Sequence, residues 1–151
     1  MSLKLQLNEA TKKALLSGES VTVGALRNFK AVIINEEVAK NKRDEGLSDE
    51  EIQTLLQKEI KKLEESARIY AHANRPELAE NELAEAAVLK VYLPEQIGES
   101  EIEAELVKLA SDLNISSSKD MGRLIGAAKK KFGASADGAT IAKISKKIIN
   151  N

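Results

Sequence analysis

Residues 93–98 read Leu93-Pro94-Glu95-Gln96-Ile97-Gly98, and this stretch interrupts a chain that is otherwise rich in helix-forming residues. Proline has no backbone N–H and restricts the residue before it, so one continuous helix through Pro94 is disfavoured. The glycine at position 98 adds a second break. We therefore predict three parts, which are a first domain over residues 1–93, a hinge over residues 94–98 and a second domain over residues 99–151.

Apolar residues recur at helical spacing on both sides of this break, and no stretch alternates as a strand does. Before the break, helices are predicted from about Ser2 to Ser17, from near Thr22 to before Gly46, from about Asp49 to Ala73 and from about Pro76 to Tyr92. After it, three more begin near Glu99, at Ser116–Ser118 and at Asp137. The predicted fold class is all-α, with an N-terminal domain that resembles a four-helix bundle and a small three-helix C-terminal domain.

Polar residues stand where several of these helices begin. Ser48 with Glu51, and Ser100 with Glu103, have the spacing of capping boxes. The serines at 116–118 and the carboxylate of Asp137 are expected to cap the last two helices.

Composition excludes several classes of protein. The 151 residues contain no cysteine, so disulfides, thiol chemistry and thiolate metal sites are excluded. No apolar run approaches the roughly 20 residues that a membrane-spanning helix needs. The start, Met1-Ser2-Leu3-Lys4, leads into charged residues without the apolar core of a signal peptide. We expect a soluble cytoplasmic protein with no membrane partner.

Charge is distributed unevenly along the chain. Residues 118–151 hold eight Lys or Arg and two acids, whereas residues 1–117 hold 15 bases and 22 acids. We expect an acidic surface on the first domain and basic outer faces on the second, as in proteins with a polyanionic partner. The alternative is a solvated face with cations at helix C-termini. The candidate RNA-binding residues are Lys119, Arg123, Lys129, Lys130, Lys131, Lys143, Lys146 and Lys147.

Three glycines of interest lie in the same region. Gly122 and Gly126 are one helical turn apart, and a glycine inside a helix costs about 1 kcal/mol relative to alanine. One interpretation is that the backbone of a partner approaches closely there. The other is tight packing among the small helices of the domain. Gly138, after Ala136-Asp137, is a third candidate for close approach.

No set of residues assembles into a catalytic site. Ser116-Ser117-Ser118-Lys119 lacks the glycine-rich nucleophile turn and the second lysine of a Ser/Lys amidase, and no phosphate-binding loop is present. Glu59 falls within an apolar stripe, where an ion pair with Arg27 is expected. We predict no catalytic residue, no metal and no cofactor, and no glutaminase or ATPase activity in the isolated chain.

Several blocks of residues nevertheless occur in a specific order. They are Leu26-Arg27 with Glu36, then Glu59, Glu65-Ser66, Tyr92-Leu93-Pro94-Glu95-Gln96-Ile97, Lys119-Asp120-Met121-Gly122-Arg123-Leu124-Ile125-Gly126 and Ala136-Asp137-Gly138. On these blocks the chain resembles the YqeY family over essentially its whole length. Through that family it is similar to the YqeY-like tail domain of the B subunit of the tRNA-dependent aspartyl/glutamyl amidotransferase.

The resemblance implies a helical bundle followed by a C-terminal helical domain. It also implies a link to the amidation of misacylated tRNA, a carbon–nitrogen ligase reaction with glutamine as the amido-nitrogen donor. In the multisubunit enzyme the tail looks like a tRNA-contacting appendage, and the chemistry lies on other domains and subunits. The implied partner is tRNA or an amidotransferase or aminoacyl-tRNA assembly, and no DNA partner is expected.

Three hypotheses follow from the residues and the resemblance together. The first is a non-catalytic helical protein that binds tRNA or an amidotransferase. The second is an enzyme that uses glutamine, for which no nucleophile, base or nucleotide site can be assembled from the sequence. The third is a helical protein–protein adaptor without RNA contact, which salt-dependent RNA binding would distinguish from the first.

Overall fold

A computed structural model describes residues 1–150, and Asn151, the last residue of the predicted second domain, lies outside the described residues. Over residues 1–150 the fold is all-α, without a strand, and the predicted fold class is confirmed at this level. The helices are α1 Leu3–Ser17, α2 Ser20–Ala39, α3 Asp49–His72, α4 Pro76–Lys90, α5 Glu99–Asp112, α6 Met121–Phe132 and α7 Gly138–Asn150. Short 3-10 turns at Ser118–Asp120 and Gly133–Ser135 precede α6 and α7.

The helices divide into two compact units, Met1–Leu93 and a second that begins at Pro94. In the first unit α3 packs along α4, while α2 packs against both α1 and α4. Burial of aliphatic side chains from all four helices supplies the main favourable free energy of this unit. The buried core consists of Leu3, Leu7, Leu26, Phe29, Ile33, Leu47, Ile52, Leu55, Leu56, Ile60, Ala86 and Leu89.

A buried carboxylate ties together the start of α1 and the end of α2. Glu37 is fully buried and accepts hydrogen bonds from Lys4 Nζ at 2.5 Å and from Arg43 at 2.8 Å. The Lys4 hydrogen bond lowers the pKa of Glu37, burial opposes that shift, and Arg43 reinforces it. Lys4 and Arg43 remain 37% and 54% exposed, and the triad joins residues from the start of α1 and from beyond the end of α2, so we assign it a structural role. The sequence did not predict this triad, because Glu37 follows a second glutamate, Glu36, and nothing in the local pattern distinguishes the two.

The second unit packs α5, α6 and α7 against one another. Its core is aliphatic and consists of Ile102, Leu106, Ala110, Leu124, Ala128, Ala136, Ile141 and Ile144. The segment before α5 is attached to this unit. Gln96 donates its side-chain amide to the carbonyl of Ala134 at 2.8 Å, and the Ile97 N–H donates to the carbonyl of Ser135 at 3.0 Å.

Two of the four predicted helix caps form. At α3, Glu51 N–H donates to Ser48 Oγ at 3.2 Å and Ser48 N–H donates to Glu51 at 2.8 Å. At α7, Asp137 accepts from the Thr140 N–H at 3.3 Å.

The other two predicted caps are wrong. Helix α5 begins one residue before Ser100, with Gly98 at the N-cap and no side-chain cap, so Ser100 is already inside the helix and is not in the capping position. The serines at 116–118 do not cap α6, because the 3-10 turn Ser118–Asp120 separates Ser116 and Ser117 from it.

Candidate nucleic-acid interface

Helices α6 and α7 each bury one apolar side and present cations on the other. Helix α6 buries Leu124 and Ala128, and α7 buries Ile141 and Ile144. All eight predicted cationic side chains are exposed: Lys119, Arg123, Lys129, Lys130, Lys131, Lys143, Lys146 and Lys147.

Two of these eight cations have partners within the unit. Lys131 donates to Glu105 on α5 at 2.5 Å, and this hydrogen bond lowers the pKa of Glu105. Arg123 lies 3.8 Å from Asp120 and donates to the carbonyl of Leu113 at 3.4 Å. The remaining six form no ion pair with any residue in 1–150, so their charges are free to bind an anion.

The two glycines of α6 lie on its exposed side. A Cβ added at Gly122 or Gly126 would meet no atom within 4 Å. The prediction that these glycines serve packing between helices of the domain is therefore wrong. Gly126 is an interior position of α6, where alanine would be about 1 kcal/mol more favourable. The backbone of α6 is therefore uncovered at these two positions.

Cations flank these glycines. At 100° per residue, Gly122, Arg123, Gly126 and Lys130 share one face of α6. We call this face the glycine strip. Its middle lacks side chains and its edges carry positive charge, so a polyanion could approach the helix backbone closely.

Gly138 has a different environment from the glycines of α6. A Cβ at Gly138 would lie 3.3 Å from Cε and 3.7 Å from Nζ of Lys129. The structure thus brings the Lys129 side chain from α6 to the first residue of α7. Lys143, Lys146 and Lys147 form a separate row on the exposed side of α7.

The acidic residues are divided between the two units. The first unit carries 14 bases and 16 acids, and the second carries nine bases and eight acids. The first unit therefore has an acidic excess of only two charges, 16 acids against 14 bases. Residues 94–117 alone hold six acids and one base, because most of the excess belongs to α5. The second unit itself has an acidic helix and two basic ones, which would orient a polyanion toward α6 and α7.

The ion pair expected for Glu59 does not form. Glu59 is partly buried as expected, but no ion pair joins it to Arg27, which is exposed on α2.

The pKa of Glu85 is raised, chiefly by burial, and the carboxylates of Glu82 and Glu59 contribute to the same shift. Within residues 1–150, no three His, Asp or Glu side chains are grouped to hold a metal ion.

One known protein family matches nearly the whole chain. The model of the YqeY-like protein family matches residues 4–149. The chain belongs to the YqeY-like family. This membership confirms the family that the residue blocks indicated.

A curated relative of this YqeY-like chain is "Altered inheritance of mitochondria protein 41, mitochondrial" of Pyrenophora tritici-repentis (strain Pt-1C-BFP). The two are 32% identical over 123 residues, which cover 80% of this chain and 66% of the relative. The name of that relative places it in mitochondria. In this chain, no helix within residues 1–150 has the length and apolar character to cross a membrane, and the cytoplasmic location stays a prediction.

Proposed function

We propose that this YqeY-like chain is a non-catalytic RNA-binding protein whose second unit contacts the tRNA backbone. The observation that carries the proposal is the glycine strip of α6, which includes the exposed, unpaired Lys130, together with the exposed, unpaired Lys119 and Lys129. Phosphate contacts by Lys and Arg supply most sequence-independent affinity for nucleic acid. Because the glycines leave the backbone of α6 uncovered between such cations, the phosphates can come closer to the helix.

The family supports the same assignment. The tail domain of the amidotransferase B subunit, which this chain resembles, looks like an appendage that contacts tRNA. We therefore infer that the chain acts beside tRNA-dependent amidation, as a binding partner of tRNA or of the amidotransferase assembly. The carbon–nitrogen ligase chemistry would remain on that assembly. The adaptor without RNA contact is the alternative, and the experiment below decides between them.

The arrangement of domains is part of the proposal. We infer a four-helix first domain, α1–α4, that holds the chain to its assembly, and a three-helix second domain, α5–α7, that contacts RNA. Each has its own aliphatic core, which supports this division.

The test is tRNA binding measured over a series of salt concentrations. The variant Lys129→Gln, Lys130→Gln, Lys143→Gln and Lys147→Gln removes four exposed cations without touching the core. If each lysine neutralises about one phosphate, the slope of log affinity against log salt should fall by about 0.9 per lysine, taking the B-DNA value as a guide. Equal affinity and slope in both proteins would favour the adaptor.

A matched control tests whether the location of the four lysines, and not only the change in net charge, determines tRNA binding. Lys13, Lys58, Lys61 and Lys62 are exposed on α1 and α3, and they form no ion pair within residues 1–150. Changing these four to glutamine alters the net charge equally. The proposal requires this control to keep both the affinity and the salt slope of the natural protein, apart from a small long-range effect.

A further inference from the structure

The first unit contains an open seam between α1 and α2. At one end of the seam is a depression of about 400 Å³, which lies between Ala14 and Leu15 on α1 and Val23 and Gly24 on α2. Further along, a much smaller depression lies between Asn8 and Thr11 on α1 and Lys30 and Ile34 on α2. The larger one is shallow and open to solvent.

The seam has an apolar floor. The buried side chains of Leu7, Ala14, Val23 and Leu26 form its base, and Leu15 at its rim remains 48% exposed. Gly24 lies within α2, and a Cβ there would meet no atom within 4 Å. The backbone of α2 is therefore accessible at the open end of the seam, and a second helix could approach it closely.

The edge of the seam on α2 is cationic. Arg27 lines the larger depression and Lys30 the smaller one. Both side chains are exposed, and neither forms an ion pair with a residue in 1–150. They are three residues apart, so they lie on the same side of α2. Five of the eight bases in residues 1–43 form ion pairs, and Arg27 and Lys30 are two of the three that do not.

The combination of an apolar floor and two cations selects the type of partner. A nucleic-acid backbone would match the cations and leave the apolar floor uncovered. A helix with apolar side chains at positions i, i+3 or i+4, and i+7 would fill the floor, and flanking carboxylates would meet Arg27 and Lys30. The span from Asn8 to Leu15 is about 10 Å along α1, which accommodates about two turns of such a helix.

We propose that the α1–α2 seam docks an acidic amphipathic helix of a partner protein. The apolar anchors of that helix enter the depression beside Leu15 and Gly24, and its carboxylates contact Arg27 and Lys30. This site lies in the first unit and does not depend on RNA binding by the second.

The test uses a photo-crosslinking benzoylphenylalanine placed at Leu15 in the full chain, with irradiation in cells. The neighbouring residue, Leu16, is 90% exposed and projects about 100° away, so the same label at Leu16 is a matched control. Mass spectrometry identifies the crosslinked peptides. We expect the Leu15 label, and not the Leu16 label, to crosslink to one partner segment that has helical apolar spacing and at least two carboxylates.

Charge reversal completes the test. Arg27→Glu with Lys30→Glu should reduce the Leu15 crosslink yield at least tenfold, and melting curves check that the variant is folded. If charge reversal impairs folding, Arg27→Gln with Lys30→Gln replaces it. The proposal is overturned if both labels give the same products, if the Leu15 products are RNA or a segment without carboxylates, or if neutralising both cations leaves the yield unchanged.

Discussion

At the scale of single residues, a substitution at Gly126 should change the stability of the second unit and the affinity for tRNA in opposite directions. Its open side faces no atom of the second unit, so Gly126→Ala should stabilise that unit by about 1 kcal/mol through helix propensity alone. The added methyl should weaken tRNA binding several-fold, since it occupies the middle of the glycine strip. Hydrogen exchange of α6 amides measures the stability, and a binding titration measures the affinity. A stabilised variant with unchanged affinity would remove the glycine strip from the RNA contact.

Ser145 provides the control for this experiment. Its hydroxyl is fully buried in α7 and has no hydrogen-bond partner within the described residues. A buried unpaired polar group costs about 1–3 kcal/mol, so Ser145→Ala should stabilise the second unit by on the order of 1 kcal/mol. Because the side chain is away from the surface, tRNA affinity should not change. A loss of stability would show that the hydroxyl has a partner, such as an internal water molecule.

At the scale of elements, the start of α3 makes the first unit sensitive to acid. Glu51 accepts from the Ser48 N–H at 2.8 Å and from Lys42 Nζ at 3.0 Å, and these contacts lower the pKa of Glu51 from 4.5 to about 2. A lowered pKa in the folded state means that the unfolded chain binds more protons below pH 4.5. The stabilisation is therefore complete above that value and is lost as the pH falls toward about 2.

This expectation is tested with Glu51→Gln. The variant should unfold more easily than the natural protein near neutral pH, and its stability should depend less on pH in the acid range. Both tyrosines, Tyr70 and Tyr92, lie in the first unit and the chain has no tryptophan, so tyrosine fluorescence reports the unfolding of that unit. Glu37, whose pKa is also lowered, should leave a residual pH dependence. Parallel curves for the two proteins would contradict the role given to Glu51.

At the scale of the whole molecule, we expect the two units to fold semi-independently. No helix passes through Pro94, since α4 ends at Lys90 and α5 begins at Glu99. Fragments 1–93 and 94–151 should each be helical, and their circular dichroism spectra should sum to that of the full chain. An unfolded second fragment would show that its core needs the first unit.

Limited proteolysis locates the flexible part of the predicted hinge. Because Gln96 and Ile97 bond to Ala134 and Ser135, the chain is attached to the second unit from Gln96 onward. A Glu-specific protease should therefore cut first after Glu95. First cuts within α3 or α4 would place the weakest region elsewhere.

The sequence by itself determined the features that depend on neighbouring residues. Apolar side chains at helical spacing specified an all-α chain, and Pro94 ended helical continuity because it lacks an N–H. The capping box of Ser48 and Glu51 formed because both residues lie within one turn. The order of the residue blocks was sufficient to identify the family.

Only the tertiary structure decided which polar and small residues have partners. Glu37 accepts a hydrogen bond from Lys4, 33 residues away, and Lys131 is paired with Glu105, 26 residues away. The same packing left Gly122 and Gly126 open on the exposed side of α6. Such pairings depend on how helices distant in sequence are brought together, and periodicity along one helix does not contain that information.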